Sequence, residues 1–220
     1  MTAGPGMATP GPQAVAAPGP ATQLVVIDMQ NVFGQDGSPW QAPRFGQIVD
    51  PVRRLVQAYA PNVVFTRFIS AAQPVGAWVP YYQDWPFALQ PADHPMWQLV
   101  PELAGLATQV RGSDGHGGLV DATTFSKWGE ALAGLLAPGD SLVLAGVSTD
   151  CCVISTALAA ADAGVAVQVV AEACTGVDDE SHRAALHVMG LYGPIIKVVS
   201  LAAALAAAPG PGTLAGGSAA

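Results

Sequence analysis

The strongest constraint on the fold is a repeated alternation of short apolar runs with segments of helical periodicity. The apolar runs, rich in Val, Leu and Ile, are the predicted strands: residues 24–28, 62–67, 118–121, 141–147, 165–170 and 195–199. Four of these runs are apolar on both faces, which is typical of parallel strands covered by helices on either side. The pattern therefore predicts a three-layer α/β domain around a mainly parallel sheet of about six strands.

The segments between the strands carry helical patterns. Helices are predicted over residues 47–59, 96–103, 128–136, 152–163 and 180–189, with a short one from residue 201. Gly164 and Gly190 stand where these patterns end, the position that glycine favours at helix C-termini.

Composition divides the chain into one domain and two tails. Residues 1–21 and 209–220 consist largely of Pro, Gly and Ala with few large apolar side chains, so both are predicted to be disordered. The full chain has 220 residues and is 51% hydrophobic, enough for one sizeable core. We expect a single domain over residues 22–208.

Charge and cysteine content limit the partners. The 8 basic residues against 16 acidic ones give a net charge of −8, which argues against a nucleic-acid partner. The sequence shows neither an apolar run of the roughly 20 residues that span a membrane nor a signal-peptide pattern, so we expect a cytoplasmic protein without membrane contact. The three cysteines, Cys151, Cys152 and Cys174, fit neither a disulfide framework nor zinc spacing, which favours free thiols.

Parallel α/β sheets place their sites beyond the carboxyl ends of the strands, where Cys152 and Asp28 are found. Cys152 follows the strand over 141–147 and is predicted to lie in the first helical turn, where backbone N–H groups lower a thiol pKa to about 3.5 to 7.5. The alternative is a small buried hydrophobic residue. Asp28 ends the first strand and is a helix cap, a solvated loop residue or a catalytic carboxylate. A thiol beside a base is the minimum for covalent acyl transfer.

Three motifs resemble the isochorismatase-like cysteine hydrolases, over roughly residues 24 to 205 of the chain. They are VVIDMQNVF at 25–33, TRF at 66–68 and GVSTDCCVISTALAAADAG at 146–164. The resemblance implies an Asp-Lys-Cys triad that includes Asp28 and Cys152, a cis peptide between Val147 and Ser148, and an oxyanion held by the N–H groups of Ser148 and Cys152.

The expected activity is that of the amidohydrolase branch, similar to nicotinamidase and N-carbamoylsarcosine amidase. A small, cyclic or aromatic amide would be cleaved at its C–N bond through a thioester, without a cofactor, in a homo-oligomer. A cysteine nucleophile favours C–N cleavage over the vinyl-ether chemistry of isochorismate hydrolysis.

The triad lysine is the departure from the family pattern that matters most. Alignment places Ala122 at its position, which suggests an engineered or natural loss, whereas Lys127 is interpreted as an exposed residue at the opening of a helix. The alternative alignment makes Lys127 the triad lysine. If Ala122 stands in the lysine's place, the rival hypothesis is a catalytically silent small-molecule-binding protein. A second rival, motivated by the adjacent Cys151 and Cys152, is a thiol-based redox or scaffold protein.

Aromatic residues concentrate in a long insert over residues 69–95, and such loops commonly cover a site. From the insert and its surroundings we predict these substrate-binding residues: Phe33, Trp78, Tyr82, Trp85 and Trp128. Asp93 and His94 are adjacent and are interpreted as a solvated pair, and His116 as a turn residue, so no metal site is predicted.

Overall fold

A computed structural model describes residues 21–110 and 118–209. The two predicted tails lie almost entirely outside the described residues, and His116 lies outside them as well. None of the described helices is long and apolar enough to cross a membrane.

All strands run parallel in a single sheet. They are β1 (Thr22–Ile27), β2 (Val63–Phe68), β3 (Gly118–Ala122), β4 (Ser141–Val147), β5 (Ala166–Thr175) and β6 (Ile196–Val199). Their order, β3-β2-β1-β4-β5-β6, confirms the predicted six-stranded α/β fold. The chain first builds outward from β1 to β3 and then crosses to the other side of β1 with β4. A crevice therefore opens at the carboxyl ends of β1 and β4, where such sheets bind ligands.

Helices cover both faces of the sheet. They are α1 (Asn31–Gly34), α2 (Phe45–Tyr59), α3 (Trp78–Asp84), α4 (Pro101–Gln109), α5 (Glu130–Ala133), α6 (Ile154–Asp162), α7 (Asp179–Gly190) and α8 (Leu201–Ala207). Leu24 and Val26 of β1 pack in the core that includes α2, α4 and α8, whereas Val25 and Ile27 pack with α5, α6 and α7. The alternation of strand side chains between two buried faces explains the continuous apolar runs.

The helix predictions hold best away from the insert. The helix predicted over 96–103 is wrong: a 3-10 turn over Pro95–Trp97 precedes α4, because Pro101 starts a new helix at a position proline favours. Helix α3, inside the insert, was not predicted. Gly164 has the positive φ of 86° expected after a helix, but Gly190 is the last residue of α7.

Gly146 allows the two central strands to approach closely. It pairs with Ile27 and has a φ of 118°. A Cβ atom at this position would lie 2.0 Å from the Ile27 carbonyl oxygen. Both the backbone conformation and the space therefore require glycine. This approach sets the carboxyl end of β4 beside that of β1.

Candidate active site

Asp28 is the first residue after β1 and is completely buried. Its φ of 49° lies in the left-handed region, which is uncommon for a residue other than glycine. The Thr66 hydroxyl on β2 donates to Asp28 Oδ1 at 2.7 Å, and the Asp28 N–H donates back to Thr66 Oγ1 at 3.2 Å. These bonds hold Oδ1 and leave Oδ2 for another partner.

The second carboxylate oxygen meets a lysine. Lys127 Nζ lies 2.9 Å from Asp28 Oδ2, and both side chains have 0% exposure. Nζ also donates to the Thr124 carbonyl at 3.0 Å and lies 5.0 Å from the centroid of the Phe68 ring. The interpretation of Lys127 as an exposed surface residue is therefore wrong.

The alignment of Ala122 with the family's lysine does not describe this site. Ala122 is the last residue of β3, and its carbonyl accepts from the Ile69 N–H at 3.0 Å. The helix expected from residue 128 begins only at Glu130, so the segment between Ala122 and Glu130 can turn inward and bury Lys127. The cation beside Asp28 belongs to Lys127, the alternative that the sequence left open.

Cys152 lies in a π-helical turn between β4 and α6. The turn spans Thr149–Val153 and follows a cis peptide between Val147 and Ser148, which confirms that expectation. The Cys152 side chain is buried, with 4% exposure. Thr156 on α6 connects the turn to the lysine segment: its hydroxyl donates to the Cys152 carbonyl at 2.7 Å and accepts from the Lys127 N–H at 2.9 Å.

The two adjacent thiols have opposite acidities. A hydrogen bond with Cys151, burial and the negative charge of Asp28 raise the pKa of the Cys152 thiol, against a smaller opposing effect of Lys127. The same hydrogen bond lowers the pKa of the half-buried Cys151 thiol. These effects oppose the stabilisation of a Cys152 thiolate that the sequence predicts.

An aromatic pocket of about 370 Å³ opens onto these thiols. Its apolar walls are Phe33, Pro39, Trp40, Phe68, Tyr81, Trp85, Phe125 and Val177, and its polar residues are Ser148, Asp150, Cys151 and Cys152. Gln30 holds the walls in place, because its side chain donates to the carbonyls of Phe68 at 2.9 Å and Trp97 at 2.8 Å. The pocket has the size of a small-molecule site.

The pocket contains some of the predicted substrate-binding residues. Phe33 and Trp85 line it, whereas Trp78, Tyr82 and Trp128 do not. Trp78 lies behind the wall, with ring centroids 5.0 Å from Phe125 and 5.2 Å from Tyr81, and Tyr82 packs 6.0 Å from Trp78. Trp128 packs in the core on the α6 side of the sheet.

Sequence reasoning missed Trp40, Phe68, Tyr81 and Phe125 as wall residues. Trp40 is central: its ring lies 5.1 Å from Phe87, 6.0 Å from Trp85 and 6.2 Å from Tyr81. It belongs to the loop before α2, which lacks a recognisable motif. Phe68, directly after the TRF arginine at the end of β2, could have been found from its place at the carboxyl edge of the sheet.

Among residues 21–110 and 118–209, no group of three or more His, Cys, Asp and Glu side chains is placed to hold a metal ion. Asp93 and His94 lie in the insert, where the His94 ring accepts from the Met96 N–H at 3.2 Å and its residue caps the 3-10 turn. His94 therefore has a structural role in this turn.

Comparison with known proteins gives one family. The model of the Isochorismatase domain matches residues 22–200. No curated protein sequence matches the chain significantly.

Several solved structures share the fold. A cysteine hydrolase from Pseudomonas syringae superposes with a TM-score of 0.71 at 19% identity, over 87% of this chain and 97% of that one. The nicotinamidase/pyrazinamidase of Bacillus subtilis gives 0.67 at 22% identity, over 82% and 100%. The MAR1 ribonuclease of Caenorhabditis elegans gives 0.62 at 19% identity, over 85% and 81%. At these identities the similarity establishes the fold.

Proposed function

Because the chain belongs to the isochorismatase family, we propose that it is a cysteine amidohydrolase with Cys152 as nucleophile, Asp28 as general base and Lys127 as the cation that compensates Asp28. The reaction would cleave a linear amide or a related C–N bond of a small molecule. The observation that carries the proposal is the buried ion pair of Asp28 and Lys127, 2.9 Å apart, whose two charges both act on the pKa of Cys152. A buried charge pair is costly to desolvate, so its presence at a pocket favours a catalytic role.

Acylation begins with a neutral nucleophile. Since the pKa of Cys152 is raised, the thiol must lose its proton as the sulfur attacks the carbonyl carbon of the amide. Asp28 accepts that proton, and the nearby charge of Lys127 balances the carboxylate in this dry site. The C–S bond forms, and the carbonyl electron pair moves onto oxygen.

The oxyanion then needs hydrogen-bond donors. Ser148, directly before the turn, and Cys152, within it, both line the pocket, and we assign their backbone N–H groups to this role. As the tetrahedral intermediate collapses, the C–N bond breaks and Asp28 returns its proton to the leaving amine. The product of this half-reaction is a thioester on Cys152.

Deacylation repeats the proton transfers with water. Asp28 takes a proton from a water molecule that attacks the thioester carbonyl, and the proton passes to the departing Cys152 sulfur. The products are a carboxylic acid and the free thiol. Every proton transfer in this sequence uses Asp28, whose Oδ1 is held by Thr66.

The rival hypothesis of a catalytically silent binding protein rested on Ala122 as a missing lysine. Lys127 supplies the cation, so that motive is gone. The similarity to a cysteine hydrolase and a nicotinamidase supports an amide as substrate class, because those names describe amide-cleaving or thiol-dependent relatives.

Ammonia or amine release from a panel of small aromatic amides tests the proposal. The parent chain should release product, and Cys152→Ala should lose activity by at least about 10⁴-fold because the nucleophile is removed. Cys151→Ala and Cys174→Ala are the matched controls, since both remove a thiol without removing the proposed nucleophile. Activity that survives in Cys152→Ala but disappears in Cys151→Ala would show that Cys151, and not Cys152, is the nucleophile.

A further inference from the structure

The aromatic pocket carries an unequal distribution of charge. Of its lining residues, all within the described part of the chain, none is Lys, Arg or His, and Asp150 is the acidic one. Lys127, although close to the thiols, is already engaged by Asp28 and the Thr124 carbonyl. A carboxylate on the far end of a substrate would therefore lose its hydration without gaining a counter-ion.

Asp150 lines the pocket, and its side chain is fixed there by a backbone hydrogen bond. Its Oδ1 accepts from the Val177 N–H at 3.0 Å, which anchors the side chain across the pocket rim. This approach depends on Gly176, where a Cβ atom would lie 2.3 Å from Asp150 Oδ1. The negative charge of Asp150 acts inward as well, since it raises the pKa of Cys151 against the dominant lowering effect. An anionic substrate would meet that charge, and a cationic one would be attracted to it.

The aromatic walls also favour a cationic substrate. The rings of Trp40, Trp85 and Tyr81 stand at different angles around one space, with interplanar angles of 63° for Trp40 and Trp85 and 41° for Trp40 and Tyr81. Burial raises the pKa of the Tyr81 phenol, which keeps that ring neutral. Aromatic faces attract organic cations, and several faces around one space are the usual receptor for an alkylated ammonium.

We propose that the pocket selects amides whose non-reacting end is an organic ammonium group, either protonated or quaternary, and that it discriminates against substrates with a carboxylate there. The selectivity arises from Asp150 together with the rings of Trp40, Tyr81 and Trp85. The inference rests on the proposed amidohydrolase function, because it concerns the same pocket.

Two pairs of matched benzamides test the charge preference at constant shape. The para substituents are trimethylammonium against tert-butyl, and carboxylate against nitro. Binding is measured by quenching of tryptophan fluorescence in Cys152→Ala, which cannot turn the amides over, and kcat/KM is measured in the parent chain. We expect the trimethylammonium amide to bind roughly tenfold more tightly than the tert-butyl amide. The carboxylate should bind at least about tenfold more weakly than the nitro compound.

Two variants locate the origin of the preference. Asp150→Asn keeps an oxygen to accept from the Val177 N–H but removes the charge, so the preference for trimethylammonium over tert-butyl should fall several-fold. Asp162→Asn, at an exposed position at the end of α6, is the control and should change neither ratio. Val177 is 54% exposed at the rim, and Val177→Arg should improve carboxylate binding relative to nitro.

The outcomes separate the two proposals. Equal binding within both pairs, or ratios unchanged by Asp150→Asn, would overturn the charge selectivity even if all four amides are hydrolysed. A clear preference for trimethylammonium in Cys152→Ala, without turnover of any amide by the parent chain, would sustain the selectivity and reject the hydrolase.

Discussion

A lysine ammonium with no exposed surface is stable only when an opposite charge or several acceptors lie beside it. Lys127 has an opposite charge beside it, the Asp28 carboxylate, and one further acceptor, the Thr124 carbonyl. The pair couples folding to chemistry at single-residue level: the side chain that neutralises the proposed base also satisfies a charge that would otherwise be buried alone. Loss of either partner should therefore affect both properties.

Replacing Lys127 tests both its structural and its catalytic role. In Lys127→Met the Asp28 carboxylate stays buried without its partner, and we expect a loss of about 3 to 5 kcal/mol in the free energy of unfolding. We also expect kcat/KM to fall about 10² to 10⁴-fold. Urea unfolding and amide hydrolysis measure the two effects.

The double variant Lys127→Met with Asp28→Asn removes both charges and should recover most of the stability but none of the activity. Lys197→Met, at the exposed position of the other lysine of the chain, is the control. Full activity in Lys127→Met would contradict the assignment. So would a rise in kcat on changing Ala122→Lys, which tests the first alignment.

The thiols should differ in their reaction with iodoacetamide. A raised pKa leaves little Cys152 thiolate at neutral pH, whereas the lowered pKa of Cys151 gives that more accessible thiol the larger thiolate fraction. We expect Cys151 to be labelled first at pH 7 and Cys152 labelling to increase with pH as its thiol ionises. Peptide mapping over a pH series measures both. The lowered pKa that the sequence predicts for Cys152, in the first turn of a helix, would give the opposite order, so rapid labelling of Cys152 at neutral pH would contradict this prediction.

At the scale of elements, the position of the site depends on the contact between β1 and β4. Gly146→Ala would place a methyl group against the Ile27 carbonyl and force a side chain into a φ of 118°. We expect a loss of about 3 kcal/mol or more in the free energy of unfolding. Gly118→Ala on β3 is the control, since a Cβ atom there meets no atom of the described residues within 4 Å. Equal stability of the two variants in thermal melts would show that the close approach is relaxed.

The sequence predicts the sheet better than the walls around it. All six strands follow from apolar runs. The signal is strongest in the four runs that are apolar on both faces, because a strand buried on both faces has an apolar residue at nearly every position. The edge strands β3 and β6 are partly exposed. The sequences of helix α3 and of the inward turn before Glu130 show no comparable apolar pattern. Their burial depends on contacts with distant residues, such as the packing of Trp78 on Phe125, and the Lys127 contact with Asp28 is of the same kind. Asp28 and Cys152 could be located from strand ends, but the lysine could not.

At the scale of the whole molecule, the described fold begins at the first strand and closes with α8. Tyr59 on α2 donates its hydroxyl proton to the Ala204 carbonyl at 2.9 Å, which ties the last helix to the first long one. Homo-oligomerisation and a cytoplasmic location stay predictions.

A chain shortened to residues 21–209 should keep its melting temperature and its kcat/KM for amides. The removed segments are mostly Pro, Gly and Ala, which contribute few apolar side chains to a core. Differential scanning calorimetry and the amide assay compare the two chains. As a control, a chain that also lacks α8 should melt lower, because Ala204 and the Tyr59 contact are lost. A lower melting temperature for residues 21–209 would give the removed segments a structural role.

The proposed catalytic groups and the pocket walls come from different parts of the chain, and this has an evolutionary consequence. Asp28 and Cys152 follow central strands of the sheet, whereas Trp40, Tyr81 and Trp85 belong to connections outside it. Mutations in those connections can change which molecule is admitted while the inherited chemistry stays intact. Proteins that descend from one ancestor can thus diverge in the substrate that they bind while the residues proposed for catalysis stay the same.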